Sequence, residues 1–337
     1  MSFRWPTAYI LEQAIMPQLK PLGSLLLRFI KTEMVNTNII YAIISSDLAY
    51  ILKLICYGEL LRSRLRSKTN ERVTMKSGRR ISYALMLFLV IWSFPSLASD
   101  TAKEKRWADQ IVDSLIDGTA VWLVAGDAKF LGIYMESASK PAKGAVIVAH
   151  GIGVHPDWVD VVYPLRVKLP EHGWATLSLQ MPILPNEAKE NEYAAVFPDI
   201  SPRMNAAIAF LKSKGIDKIV IAGHSLGSTM SAYYLANNSS LAKGLVAISP
   251  GTNLSVPNLR YFDTLPKLNK LPILNLYGSI DNEDVVATAN KRVDIAEKSG
   301  NTHFTQIMVT GANHFYQGKE NELVKEVIDW LGKNIAQ

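Results

Sequence analysis

The sequence predicts an α/β protein with a mostly parallel central sheet, helices on both of its faces and an antiparallel hairpin at one edge. Three observations carry this expectation. From residue 145 to the C-terminus, short apolar runs rich in β-branched residues alternate with segments of helical period. Several of these runs end at glycine followed by polar residues, as buried strands do when they reach the edge of a sheet. Two further strand-like segments precede the alternation and are joined through Gly126-Asp127, a hairpin signal.

The elements follow in order. Residues 102–115 have an amphipathic helical rhythm, with Trp107, Ile111, Val112 and Leu115 on one face. Residues 120–124 and 130–136 are the two hairpin strands. Residues 145–149, Ala-Val-Ile-Val-Ala, form a buried strand that ends in His150-Gly151-Ile152-Gly153. A helix over 161–169 stops around Pro170 and Gly173, and 174–179 is the next strand. Residues 183–202 hold three prolines and an acidic-and-amide cluster, and read as an irregular surface excursion. A helix over 203–214 leads into a strand at 219–222 and a helix at 228–237. Strands at 245–249, 271–277 and 304–309 then alternate with helices at 285–298 and 321–334.

Composition sets the function classes that remain. The chain has 337 residues, 48% hydrophobic and 20% charged, enough to bury a sizeable core. Its formal charge of +6 comes from the N-terminal part: residues 1–98 hold 13 Lys and Arg against 5 Asp and Glu, whereas residues 99–337 hold 23 against 25. The main domain has no basic stripe, and nucleic acid is not an expected partner. Cys56, the one cysteine, lies before residue 99, so the main domain has neither disulfides nor a cysteine-built metal site.

The N-terminal part divides at Met75. Residues 75–98 read as a secretory signal: a basic stretch from Lys76 to Arg80, an apolar core over 83–94, and small residues Ser96 and Ala98 at −3 and −1 of a cut before Ser99. An uncleaved anchor is the alternative reading. Residues 1–74 are expected to be a mis-called extension of the true start at Met75; the alternative is a membrane segment at 38–61, which would bury Asp47 and Lys53. Membrane contact is expected only through residues 38–98. The main domain, 99–337, is expected outside the cytoplasm, in the periplasm, or else held there by the anchor.

The chemistry centres on Gly223-His224-Ser225-Leu226-Gly227, between a strand and a helix. This is the G-x-S-x-G pattern, in which a sharp turn exposes a serine hydroxyl at the tip of a sheet. The bare pattern arises by chance in roughly one chain of this length in ten. Its surroundings make it informative. His150, Ser225, Asp281 and His314 all follow apolar strands, and ligands of parallel sheets sit beyond those carboxyl ends. The order Ser, Asp, His is also the order of a known triad arrangement.

Over roughly residues 118–337 the sequence resembles the α/β-hydrolase superfamily, through the GHSLG elbow, the HG-x-G turn, the acid after the penultimate strand and the histidine after the last. More narrowly, HGIGVHPDW followed by GWATLSLQMP is similar to an uncharacterised family of exported bacterial α/β-hydrolase-like proteins. The resemblance implies Ser225 as nucleophile, His314 as base and Asp281 as its partner. It further implies backbone N–H groups of Leu226 and Ile152 as an oxyanion hole. His150, Gly151, Gly223 and Gly227 are expected to support the turns. No cofactor and no metal are implied.

Each role has a rival. Glu283 and Asp284 compete with Asp281, and His303 with His314, although His303 precedes its strand and belongs at the opposite sheet edge. His155, Asp157 and Asp160 could be imagined as metal ligands but lack further ligands at suitable spacing, while His172 and Trp158 read as structural. The segment 251–270, where many relatives carry a large cap, has room for a short helix only. The site is therefore expected to be open, with Tyr193, Phe197, Leu259, Tyr261 and Phe262 as an apolar lining for a small-molecule or lipid-like acyl group. The functional expectation is an exported serine hydrolase of carboxylic esters, with thioesterase, amidase or acyltransferase activity not excluded. A non-catalytic binding or envelope-assembly protein is the alternative.

Overall fold

The structure is a computed structural model that describes residues 99–238, 241–251 and 253–335. The expected extension, signal and membrane segments lie outside these residues. No described helix is long and apolar enough to cross a membrane.

Asp100 starts the first helix, α1 (Thr101–Ser114), by accepting a hydrogen bond from Lys103 N at 2.9 Å. The hairpin strands β1 (Thr119–Ala125) and β2 (Ala128–Met135) follow. Next come β3 (Gly144–Ala149), α2 (Val162–Lys168) and β4 (Trp174–Leu179). Then α3 (Ile200–Ser213), β5 (Ile219–His224), α4 (Leu226–Asn237) and β6 (Gly244–Ile248). The chain continues with α5 (Tyr261–Thr264), β7 (Ile273–Gly278), α6 (Glu283–Ala287) and α7 (Ala289–Lys298). It closes with β8 (Phe304–Val309) and α8 (Glu320–Asn334).

One eight-stranded sheet runs in the order β1-β2-β4-β3-β5-β6-β7-β8. The β1–β2 and β2–β4 pairs are antiparallel, and every pair from β4 to β8 is parallel. The period-2 alternation of side chains sends neighbouring residues to opposite faces. Ile147, Ile221, Leu245 and Ile273 pack on one face beneath Met204, Leu211, Met230 and Leu235 of α3 and α4. Val146, Val220, Val246 and Leu274 pack on the other beneath Leu165, Leu323, Val327 and Trp330 of α2 and α8. Because both faces are covered, β3 to β6 are buried along their whole length.

Three stretches differ from expectation. Residues 183–202 are not irregular throughout: a 3-10 run covers Glu190–Asp199 and α3 already begins at Ile200, before Pro202. Proline fits there because the first turn of a helix leaves its N–H groups unpaired. The helix expected at 285–298 is two helices that meet at Thr288, whose hydroxyl turns back to the carbonyl of Asp284 at 2.6 Å. The helix at 161–169 is shorter and runs on as a 3-10 turn to His172, closed by Gly173 at φ 92°.

A buried ion pair ties α1 to the body. Arg203 Nη2 lies 3.0 Å from Glu104 Oε1 and 2.9 Å from Oε2, and Arg203 Nη1 donates to the carbonyl of Gln180 at 3.0 Å. Ser99 Oγ donates to the same carboxylate. Burial pushes the Glu104 carboxyl above its ordinary range, and Arg203 and the hydrogen bonds oppose that. Removing one member leaves an uncompensated buried charge, at a cost of about 3–5 kcal/mol. Arg203→Ala is expected to lower stability by that amount in urea denaturation. The paired change Glu104→Leu with Arg203→Met should recover most of the loss.

Candidate functional site

The carboxyl ends of the parallel strands share one sheet edge, and there the chain gathers His150, Ser225, Ser249, Asp281 and His314. The position of Ser225 depends on the closeness of β5, α4 and β3. A Cβ on Gly223 would lie 2.5 Å from the carbonyl oxygen of Gly227, and a Cβ on Gly227 would lie 2.4 Å from those of Ala149 and His150. Only glycine fits either position. Between them Ser225 adopts φ 53° and ψ −124°, a conformation that costs on the order of 1–3 kcal/mol. Its backbone is held on both sides: its N–H donates to Ile248 O at 2.9 Å, and its carbonyl accepts from Ser228 and Gly251 N–H at 3.0 and 3.1 Å. Small side chains let α4 approach the sheet, and Ser228 Oγ donates to Gly223 O at 2.5 Å.

His314 stands beside this turn. Its carbonyl accepts a 2.8 Å hydrogen bond from His224 Nε2, and the two rings are 4.9 Å apart between centroids. Its Nδ1 lies 2.6 Å from Asp281 Oδ1. The Asp281 side chain is 0% exposed, against 12% for His314. Asp281 also accepts from Asn282 N at 2.8 Å, from Gly278 N at 3.1 Å and from Ser249 Oγ. Burial alone would raise its carboxyl; the hydrogen bonds from His314, Ser249 and Gly278 outweigh that and hold it below the ordinary aspartate value. Ionised Asp281 therefore keeps the proton of His314 on Nδ1 and leaves Nε2 as the basic nitrogen. Among the described residues, no hydrogen bond joins Ser225 Oγ to His314; such contacts are often long without substrate.

Of the rivals, Glu283 is exposed, and Asp284 sits at the start of α6 rather than on His314. His303 lies at the amino end of β8, where its carbonyl accepts from Ile273 N at 3.0 Å, on the far edge of the sheet. Asp157 pairs with buried Arg166, Asp160 accepts from Gln317 at 3.4 Å, and His155 packs edge-on against Trp107 and Trp158. Among the described residues no group of three His, Cys, Asp or Glu side chains is arranged to hold a metal ion.

His150 is fixed by hydrogen bonds. Its Nδ1 faces the carbonyl of Gly151 at 2.8 Å, and its Nε2 accepts from Met181 N at 3.0 Å. That pattern selects the Nδ1–H tautomer of a neutral ring. Gly151 lets the turn lie against the elbow: a Cβ there would be 3.0 Å from that of Ser225. Leu226 is the first residue of α4, so its N–H has no acceptor within the helix. Ile152 N donates to no backbone carbonyl among the described residues.

The expected apolar lining is corrected. The side chains of Tyr193, Phe197 and Tyr261 are core residues, 2%, 1% and 1% exposed. Tyr193 OH accepts from Leu184 N at 3.2 Å, Phe197 packs edge-on against Tyr233, and Tyr261 reaches Asn275 at 3.4 Å. Leu259 is buried as well, and Phe262 is half-buried with Lys291 over its ring at 4.2 Å. Two residues with no sequence signal of their own lie at the site. Ser249, at φ 44° beyond β6, bonds Asp281, and Glu190 opens the 3-10 run beside Gly251. A cleft of about 460 Å³ lined by Lys140, Lys143, Lys214 and Lys218 lies at the opposite, amino edge of the strands.

Burial pushes two histidines of the site down: His150 to about 3, and His224, with His314 beside it, to about 4. Both are neutral in the folded chain at pH values where an unfolded histidine, near 6.5, is protonated. The unfolded chain then binds more protons, so stability falls as pH drops from about 6.5 toward 4, by up to about 1.4 kcal/mol per pH unit for each ring. Urea midpoints measured from pH 7.5 to 5 should fall accordingly, and His150→Gln should flatten the slope.

In solved structures the fold recurs. Est1E from Butyrivibrio proteoclasticus is 18% identical, with 66% of this chain and 100% of that chain covered and a TM-score of 0.53. A dienelactone hydrolase from Anabaena variabilis is 17% identical, with 65% and 98% covered and a TM-score of 0.51. Both are α/β hydrolases, and the likeness is one of fold. No curated protein matches the chain. The model of the family described as "Protein of unknown function (DUF3530)" matches residues 95–199 and 186–333, well over half of the sequence. The chain thus belongs to the DUF3530 family and has the α/β-hydrolase fold.

Proposed function

We propose that the chain is a serine hydrolase that cleaves carboxylic esters of small or lipid-like acyl groups through an acyl-enzyme, with Ser225, His314 and Asp281 as its triad. The observation that carries this reading is the 2.6 Å contact of His314 Nδ1 with fully buried Asp281, next to a serine held at φ 53°. Fold alone would not carry it.

The reaction follows from these positions. Ser225 Oγ attacks the carbonyl carbon, a new C–O bond forms, and the hydroxyl proton passes to His314 Nε2. The carbonyl electron pair moves onto oxygen, which the N–H groups of Leu226 and Ile152 and the N-terminus of α4 stabilise. Removing one such donor typically costs about 2.7–4 kcal/mol of transition-state stabilisation. Collapse breaks the bond to the alcohol, which leaves with the proton from Nε2. Water then gives a proton to Nε2 and attacks the acyl carbon; the bond to Ser225 Oγ breaks, the acid leaves, and Nε2 returns the proton to Oγ. Asp281 stays ionised and stabilises the imidazolium formed in each half.

We further propose export, with cleavage before Ser99 and function in the periplasm. The tripartite pattern at 75–98 supports this reading, and residues 38–98 are the part suited to membrane contact. N-terminal sequencing of the native protein should begin at Ser99; a peptide from residues 1–74 would count against a start at Met75.

A fluorophosphonate probe should label the wild-type chain and fail on Ser225→Ala. A folded wild-type chain that resists the probe would favour a non-catalytic binding role. Steady-state assays of Asp281→Asn should show a kcat lowered by on the order of 10⁴, while Asp284→Asn, in the same assay, should stay within about tenfold of wild type.

A further inference from the structure

Residue 249 has a backbone that suits glycine and a side chain that glycine lacks. It follows β6 at φ 44°, where a residue that carries a Cβ is strained. Its N–H donates to Leu276 O at 2.7 Å, which pins it between β6 and β7. Ser249 is 0% exposed, and its hydroxyl donates to Asp281 Oδ2. So deep in the chain, the hydroxyl cannot exchange that acceptor for water. The strained backbone is the condition for having a donor at this point, and glycine would relieve the strain and lose the donor.

The two oxygens of Asp281 have separate partners. Oδ1 accepts from His314 Nδ1 at 2.6 Å and from Asn282 N at 2.8 Å. Oδ2 accepts from Ser249 Oγ and from Gly278 N, the latter at 3.1 Å. The terminal torsion of an aspartate is soft, so the carboxylate turns unless both oxygens are held. Without Ser249, Oδ2 would keep only the Gly278 N–H. A turned carboxylate takes Oδ1 out of the plane of the His314 ring, and the proton of the neutral ring can then sit on either nitrogen. The Nε2–H form has no lone pair on Nε2 to receive the proton of Ser225. We propose that Ser249 is a positioning residue, which acts through Asp281 to keep His314 in the one tautomer that can serve as base. The word "base" rests on the hydrolase reading; the hold on the tautomer does not.

Nitrogen-15 NMR of the histidine rings tests this without turnover. The His314 signals are those lost in His314→Gln. At a pH where the ring is neutral, the wild-type signals should be those of the Nδ1–H form, and Ser249→Ala should show a mixture of both tautomers. With 4-nitrophenyl butanoate, kcat of the same variant should fall by about tenfold to a hundredfold while KM stays near that of wild type. Ser249→Gly removes the same hydroxyl and relieves the backbone. It should be at least as stable as Ser249→Ala and yet show the same mixture and the same loss of kcat, and it carries the test if the alanine variant folds poorly. A serine that only braced the fold would behave otherwise: kcat would return as stability is recovered in Ser249→Gly. That result overturns the proposal, as does a single Nδ1–H tautomer in both variants or a mixture in the wild type. A mixture confined to the variants of a chain without esterase activity would uphold the hold on His314 and count against the hydrolase reading alone.

Discussion

The approach of α4 to β3 and β5 at less than side-chain distance is the constraint on which the rest of this site depends. Gly223 and Gly227 make that approach sterically feasible, and the small Ser228 and Ser231 hold it with hydrogen bonds to carbonyls of the turn. Once α4 is seated, the Ser225 backbone has no relaxed alternative, and its strain is borne by the packing of β5 between β3 and β6. The neighbouring strand ends then supply His150, Ser249, Asp281 and His314 without any loop having to reach far. The electrostatics follow from the same packing. Buried Asp281 stays charged because four donors point at it, while His150 and His224 stay neutral because burial disfavours the charged ring.

Much of this fold was legible in the sequence because buried parallel strands leave a strong signal. The β4 and β8 boundaries were read at 174–179 and 304–309, where the structure has them. The residues that meet at the strand ends were legible for the same reason: a strand's carboxyl end is a sequence position. What was not legible depends on contacts between distant residues. An aromatic residue in a proline-rich stretch shows that it wants apolar surroundings, but not on which side of the chain it will find them. Tyr193, Phe197 and Tyr261 found the core beneath α3 and α4 instead of an open site. Ser249 gave no signal of its own, because a serine after a strand gains meaning only when Asp281 is brought to it. Glu190 was one acid among several in its segment until Gly251 was seen beside it.

The buried ion pair between α1 and α3 follows a different logic. Nothing in the spacing of Glu104 and Arg203 announces it, and a buried pair of this kind is a poor source of net stability compared with apolar packing. It specifies where α1 sits. Ser99, Glu104, Ile183 and Arg203 share one hydrogen-bonded cluster, so the start of the domain is joined to the stretch that leads toward Glu190.

The short connection between β6 and β7 has a kinetic meaning. Leu254, Leu259, Tyr261, Leu265 and Leu268 are all buried in the core under α4, so the described residues of this stretch form a packed wall. Enzymes that close a lid over their substrate often spend their slowest step opening it again. A site walled in this way has no such gate among its described residues. On the serine-hydrolase reading proposed above, turnover would be timed by the formation and breakdown of the acyl group.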